Sequence, residues 1–168
     1  MSQSMNREAE IAAVYDRHAN MLYRVAMSHL NNSDDAQDVV QDVFAKYISA
    51  APAFCDEEQE RAWLIRVTVN RSLDLLRQKK VRSYVPLEEA GEIAAEATEE
   101  DGLHSLLQTL THLPEKHRSA MVLHHLEGFS VEKTAQMLGI SVSAVKMRLS
   151  RGREALKDLL QEGKRHVH

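Results

Sequence analysis

A single cysteine, three prolines, six glycines and an aromatic content of 5% are what this 168-residue chain has least of. With Cys55 alone, an internal disulfide and any zinc site built from cysteines are excluded. Scarce proline and glycine leave long uninterrupted stretches rich in Ala, Leu, Glu, Gln, Arg and Met, which favour helix. Strands, short of aromatic residues, have little to work with. No apolar run approaches the roughly 18 residues that a membrane span needs, and the opening MSQSMNREAE is polar. The expectation is a cytoplasmic protein with no membrane insertion of its own. The sequence holds no HExxH, ExxH or CxxC pattern, phosphate loop, nucleophile elbow or dinucleotide fingerprint. No cofactor, metal or catalytic residue is therefore expected.

What is present is a hydrophobic content of 43%, enough for a core in one domain or two small ones. The net charge of −4 is unevenly spread. Residues 1–82 carry 11 Lys/Arg against 12 Asp/Glu, residues 83–102 none against 7, and residues 103–168 carry 10 against 6. The acidity sits in SYVPLEEAGEIAAEATEEDG, which also loses helical periodicity. It reads as a linker between two domains, residues 1–82 and 103–168.

In the first domain Ile11, Val14, Tyr15, His18, Leu22, Val25 and Ala26 keep helical spacing, predicting a helix that ends near Asn31 with His18 partly in the core. Asn32 or Ser33 can cap the next helix, whose first turn carries Asp34 and Asp35 against the positive end of the helix dipole. Ala36, Val39, Val40, Val43, Phe44, Tyr47 and Ile48 form its apolar stripe. Its other face shows Asp38, Gln41 and Asp42, which suits a basic partner surface or plain solvent equally well. After a loop at 51–56, a third helix from Arg61 to Lys80 has a buried stripe of Ala62, Ile65, Val69, Leu73 and Leu76. Beside it lies a second stripe of Trp63, Arg66, Asn70, Asp74 and Arg77. An aromatic ring, guanidiniums and an amide on one face are what stacking on and hydrogen bonding to unpaired bases use. The competing reading places Trp63 in the core and leaves the arginines to solvent.

The second domain starts with Leu103, Leu106, Leu107 and Leu110, restarts at Leu113-Pro114, and runs to Gly128. Ser130 can cap a helix to Leu138, Gly139 can turn the chain, and Ser141 can cap a longer helix. This is helix-turn-helix grammar. Val145, Leu149, Gly152 and Leu156 make the inward stripe of the last helix, while Lys146, Arg148, Arg151, Arg153 and Lys157 fall largely outside it. A basic outer face suits a phosphate-lined major groove. The fold expected is all-α, two small helical bundles joined by a short acidic tether.

From about residue 7 to 160 the pattern resembles bacterial alternative sigma factors of the extracytoplasmic-function (ECF) group. DAQDVVQDVF at 35–44 is similar to the polymerase-binding helix of sigma region two, and AWLIRVTVNRSLDLLRQKK at 62–80 to its promoter-melting helix. The segment LPEKHRSAMVLHHLEGFSVEKTAQMLGISVSAVKMRLSRGREAL is similar to region four. The resemblance implies a non-enzymatic subunit that binds core RNA polymerase through its beta-prime and beta subunits and directs initiation at particular promoters, with an anti-sigma factor as a further partner. It implies docking on polymerase by Asp38, Gln41, Asp42 and Phe44, and minus-ten DNA contacts by Trp63, Arg66, Asn70 and Arg77. It gives minus-thirty-five contacts to Lys146, Met147, Ser150, Arg151 and Arg153. Where the family usually has Glu-Ile-Ala, this chain has Lys133-Thr134-Ala135, and Ser143-Ala144 stands where it often has Gly-Thr.

Two other readings compete. A free-standing helix-turn-helix regulator would bind duplex DNA without polymerase. The run Asp34-Asp35-Ala36-Gln37-Asp38 matches the DDxxD with which isoprenoid synthases hold magnesium and diphosphate, although a second acidic motif is not evident.

Overall fold

The computed structural model of the chain describes residues 2–82 and 99–165, and every regular element among them is helical. The helices are α1 (Ser2–Leu30), α2 (Ser33–Ala50), α3 (Glu57–Arg82), α4 (Glu99–Leu110), α5 (Glu115–Met121), α6 (Val131–Leu138) and α7 (Val142–Arg165), with a π-helical turn, Val122–Leu126, continuing α5. The all-α expectation holds. Residues 83–98 of the expected linker lie outside the described residues, and α4 starts at Glu99, inside the span read as linker.

Caps set most of the boundaries. The Asn32 Oδ1 accepts the Asp35 N–H at 3.0 Å, so Asn32 rather than Ser33 starts α2. Helix α3 begins four residues before the expected Arg61. There Asp56 Oδ1 accepts the Gln59 N–H at 2.9 Å and Glu57, Glu58 and Glu60 fill the first turn, a cap and dipole signal that hydrophobic periodicity does not register. Ser130 Oγ accepts from the Lys133 N–H at 3.0 Å, and Ser141 Oγ from the Ala144 N–H at 3.1 Å. Between them Gly139 sits at φ 68° and donates its N–H to the Ala135 carbonyl, the left-handed stop that turns α6 into α7. The expected continuation through residues 122–126 takes the π form instead, closed by the Glu127 N–H on the Val122 carbonyl at 3.0 Å.

The first bundle packs α1, α2 and α3. Ala36, Val39, Val40, Val43 and Phe44 of α2 are buried as the spacing predicts, whereas Ile48 is exposed. On α3 the fully covered line is Leu64, Ile65, Thr68, Val69 and Ser72, while Ala62, Leu73 and Leu76 are only half-buried. Hydrophobicity alone passes over Thr68 and Ser72. The Thr68 hydroxyl donates to the Leu64 carbonyl at 2.7 Å, which lets it lie in the core. The second bundle closes around Leu107, Leu110, Leu113, Val122, Leu123, Met137, Val145 and Leu149. Helix α7 approaches α5 closely at Gly152, where a Cβ would stand 2.8 Å from Met121 Cγ.

The two bundles pack on each other along α1. From Val25 to Leu30 that helix is buried all round, because α2 and α3 cover one side and α4, α5 and the π turn meet the other.

Candidate partner and nucleic-acid surfaces

Three surfaces carry the residues singled out by sequence. On α2, Asp38, Gln41 and Asp42 are exposed together, and Asp42 receives the Arg71 Nε of α3 at 2.9 Å. Phe44 does not share that face. It is 6% exposed, with its ring 4.9 Å from that of Tyr15, so the side chain expected to touch a partner belongs to the core beneath. The surface next to the acidic patch is instead a cleft of about 370 Å³ between α1 and α2, lined by Tyr15, Ala19, Tyr23, Gln37, Val40 and Gln41.

On α3, Arg66, Asn70 and Arg77 are exposed along one face. Trp63 at the head of the stripe is half-buried, edge-on to Tyr47 at 6.0 Å and to Phe54 at 6.1 Å between ring centroids. It both packs and fronts a cleft of about 360 Å³ that it shares with Arg66, Lys133, Gln136 and Met137. The Arg66 guanidinium donates from Nη2 to the Gln136 carbonyl at 2.8 Å and from Nε to the Met137 carbonyl at 3.4 Å.

On α7, Val145, Leu149 and Gly152 are buried and Lys146, Met147, Ser150, Arg151 and Arg153 are exposed, Met147 to 52%. The positive field of this face reaches its neighbours. His117 is held below the ordinary imidazole value by burial first and then by Arg151 and Arg148, and His125 by burial, His124 and Arg153. Both imidazoles thereby resist adding further charge.

The acidic run on α2 is differently employed. Asp35 contacts the Lys79 ammonium of α3, and Asp34 and Asp35 occupy the first turn of their helix. Among the described residues no three His, Cys, Asp or Glu side chains gather closely enough to hold a metal ion. No described helix is long and apolar enough to cross a membrane.

Sequence reasoning missed the seam between the bundles. Arg24 of α1 reaches Glu127 through Nε–Oε1 at 2.6 Å and Nη2–Oε2 at 2.9 Å. His29 Nε2 lies 2.7 Å from the Ser119 hydroxyl, and Arg118 Nη1 donates to the His29 carbonyl at 3.2 Å. Burial, with a smaller contribution from the Arg118 charge, pushes the His29 imidazole down to about 3. Glu58 of α3 pairs with Lys133 of α6, and the Arg61 guanidinium stands 5.5 Å from the centre of the Phe129 ring. The one sequence signal for this seam was the run MLYRVAMSHL, where apolar residues recur on more than one side of the helix.

Comparison with known proteins matches residues 14–82 to the family described as sigma-70 region 2, and residues 103–156 to sigma-70, region 4. The ECF RNA polymerase sigma factor SigM of Mycobacterium tuberculosis is 33% identical over 147 residues, covering 88% of this chain and 75% of SigM. A solved structure of CnrH in complex with the cytosolic domain of CnrY superposes with a TM-score of 0.70 at 29% identity, over 92% of this chain and 90% of CnrH. The sigma factor RpoE, solved with the anti-sigma factor NepR from Bartonella quintana, gives a TM-score of 0.70 at 25% identity, over 93% and 97%.

Proposed function

Because the chain belongs to the extracytoplasmic-function sigma factors, which direct promoter-specific initiation by RNA polymerase and are not enzymes, we propose how its surfaces divide that task. The observation that carries the division is that matches to region two and region four follow each other on one chain. Residues 1–82 form the unit that binds core polymerase and melts the minus-ten DNA, residues 83–102 are the acidic tether, and residues 103–168 read the minus-thirty-five duplex.

Asp38, Gln41 and Asp42 dock on the beta-prime subunit, with the α1–α2 cleft beside them receiving apolar side chains. Trp63, Arg66, Asn70 and Arg77 follow the unpaired non-template strand, where an exposed amide and guanidiniums give hydrogen bonds and charge and the indole gives a stacking face. Lys146, Met147, Ser150, Arg151 and Arg153 enter the major groove from the open side of α7. Each bundle binds weakly alone, and joint attachment to polymerase raises the effective concentration of one site once the other is held. The complex of RpoE with the anti-sigma factor NepR supports an anti-sigma factor as the partner that keeps the protein from polymerase in the cytoplasm.

The test is transcription in vitro with purified core polymerase and a genomic promoter library. Co-purification with core and promoter-dependent transcripts are expected. Stable duplex binding without polymerase, together with no initiation, would point to the free-standing regulator instead.

A further inference from the structure

Helix α7 has two shoulders. Around its axis Arg148 and Arg153 lie about 70° to either side of the buried line of Val145, Leu149 and Gly152. A helix with its side chains is about 10–12 Å across and the major groove about 12 Å wide, so side chains on the shoulders meet the phosphates that wall the groove. The two shoulders are furnished differently. Arg148 turns Nη1 toward the Lys116 carbonyl of α5 at 3.5 Å. Arg153 instead faces an exposed imidazole of the π-helical turn, its Nη1 standing 3.5 Å from His125 Nε2.

That pairing decides where a proton can go. A guanidinium has only donors, so Arg153 can meet His125 Nε2 only through the lone pair of a neutral ring. Burial first, then His124 and Arg153, hold His125 below the ordinary imidazole value, and no carboxylate is among the groups that act on it. His124 stands edge-on at 4.9 Å between ring centroids, with its Nδ1 engaged on the Phe129 carbonyl at 2.7 Å. Glu127, two residues on, is held by Arg24. An exposed imidazole and a guanidinium thus converge with no anion between them. At 3.5 Å their own contact is too long to be strong. A phosphate oxygen seated there would accept from both side chains once Nε2 carries a proton.

We propose that His125 and Arg153 form a phosphate site at the edge of the minus-thirty-five duplex, filled with His125 as imidazolium, so that promoter binding takes up a proton from solution. The site rests on the reading of α7 as the duplex-reading helix, and it extends that surface onto the turn that precedes α6. The sign follows from linkage. A phosphate between the two side chains favours the charged ring, so the complex binds more protons than the free protein. Binding therefore strengthens as pH falls and weakens as pH rises through the value the imidazole has in the complex.

Equilibrium binding of holoenzyme, assembled from core polymerase and the full chain, to a duplex promoter recovered from the genomic library tests it. Wild type is compared with His125→Gln, which cannot be charged, and with His125→Arg, which always is. Lowering the pH from about 8 to 6 is expected to tighten wild-type binding by about fivefold more than that of either variant. His125→Gln should match the wild type at the upper pH, and His125→Arg should match it at the lower. Replacing single phosphates beside the minus-thirty-five element by methylphosphonate then locates the contact: one replacement should erase the difference in pH dependence between wild type and His125→Gln. Equal pH slopes in those two proteins would overturn the proton uptake. Persistence of the difference through every replacement would overturn the phosphate site. If none of the three proteins distinguishes promoters with and without a minus-thirty-five element at any pH, the reading of α7 itself fails, and the site at His125 falls with it.

Discussion

Arg24 and Glu127, 103 positions apart in sequence, meet through two parallel hydrogen bonds of 2.6 and 2.9 Å. The carboxylate side is nearly covered and the guanidinium side about a third exposed, at 10% and 30% of their side-chain surfaces. The bond to Glu127 holds the Arg24 guanidinium above its ordinary pKa. This two-pronged geometry separates it from a loose surface pair. Glu127→Gln keeps the shape and removes the charge. It is expected to destabilise the protein by about 1–2 kcal/mol, read as a lower urea midpoint. A double-mutant cycle with Arg24→Gln should return coupling of the same sign, and additive losses would show the pair contributes nothing.

His29 makes folding sensitive to acid. Its folded-state value of about 3 lies below the ordinary 6.5, so below pH 6.5 the unfolded chain takes up a proton that the folded one refuses. The stabilisation is full above 6.5 and is lost as pH falls toward 3. Between pH 7 and 5.5 this group alone should remove on the order of 1 kcal/mol of stability. His29→Gln should flatten the pH dependence over that interval by this amount. The same slope in both proteins would refute the assignment.

At Gly152 two effects oppose each other. Alanine gains about 1 kcal/mol in helix propensity over glycine. Its Cβ, however, would stand 2.8 Å from Met121 Cγ, 2.9 Å from Met121 Sδ and 3.4 Å from His117 Cβ, and Met121 is itself core. Overpacking of this kind costs about 1–3 kcal/mol. Gly152→Ala is therefore expected to lower the thermal midpoint despite the better helix former. Combined with Met121→Ala, which vacates the space, the alanine should stabilise relative to Met121→Ala alone.

How much of this was legible in the sequence can be judged residue by residue. Ser130, Gly139 and Ser141 act as read, because caps and left-handed turns are local chemistry. The five α2 positions from Ala36 to Phe44 are buried as spaced, so Phe44 lies beneath the surface that carries Asp38, Gln41 and Asp42. Thr134 illustrates the opposite limit: it is fully buried, and its hydroxyl finds no partner among the described residues, which no pattern of polarity announces. The seam depends on pairs such as Glu58–Lys133 and His29–Ser119, separated by 75 and 90 positions. Contacts of that range leave no periodic trace.

Arg151 is exposed on the open face of α7 and distinguishes two kinds of DNA contact. If it reads a guanine edge, Arg151→Ala relaxes preference at one base pair and costs about 1–3 kcal/mol on the preferred promoter only. A uniform loss on all promoters, with a shallower salt dependence, would mark it as a phosphate contact. Competitive transcription from promoters differing at single minus-thirty-five positions measures the difference.

Asn70 separates DNA opening from polymerase binding. It is exposed one turn beyond Arg66 on α3, whereas the acidic patch at Asp38, Gln41 and Asp42 belongs to α2. Arg66 is tied to α6, so replacing it would loosen the seam and alter DNA contact together; no bond between Asn70 and the second bundle is found among the described residues, which makes it the cleaner probe. An amide can hold an unpaired base through paired donor and acceptor, and alanine cannot. Asn70→Ala should leave affinity for core polymerase within about twofold and lower the rate of promoter opening by about tenfold, the equivalent of 1.4 kcal/mol in the barrier. Permanganate reactivity of unpaired thymines reports opening, and fluorescence anisotropy with core reports binding. Unchanged opening with collapsed core affinity would move Asn70 from the DNA path to the polymerase interface.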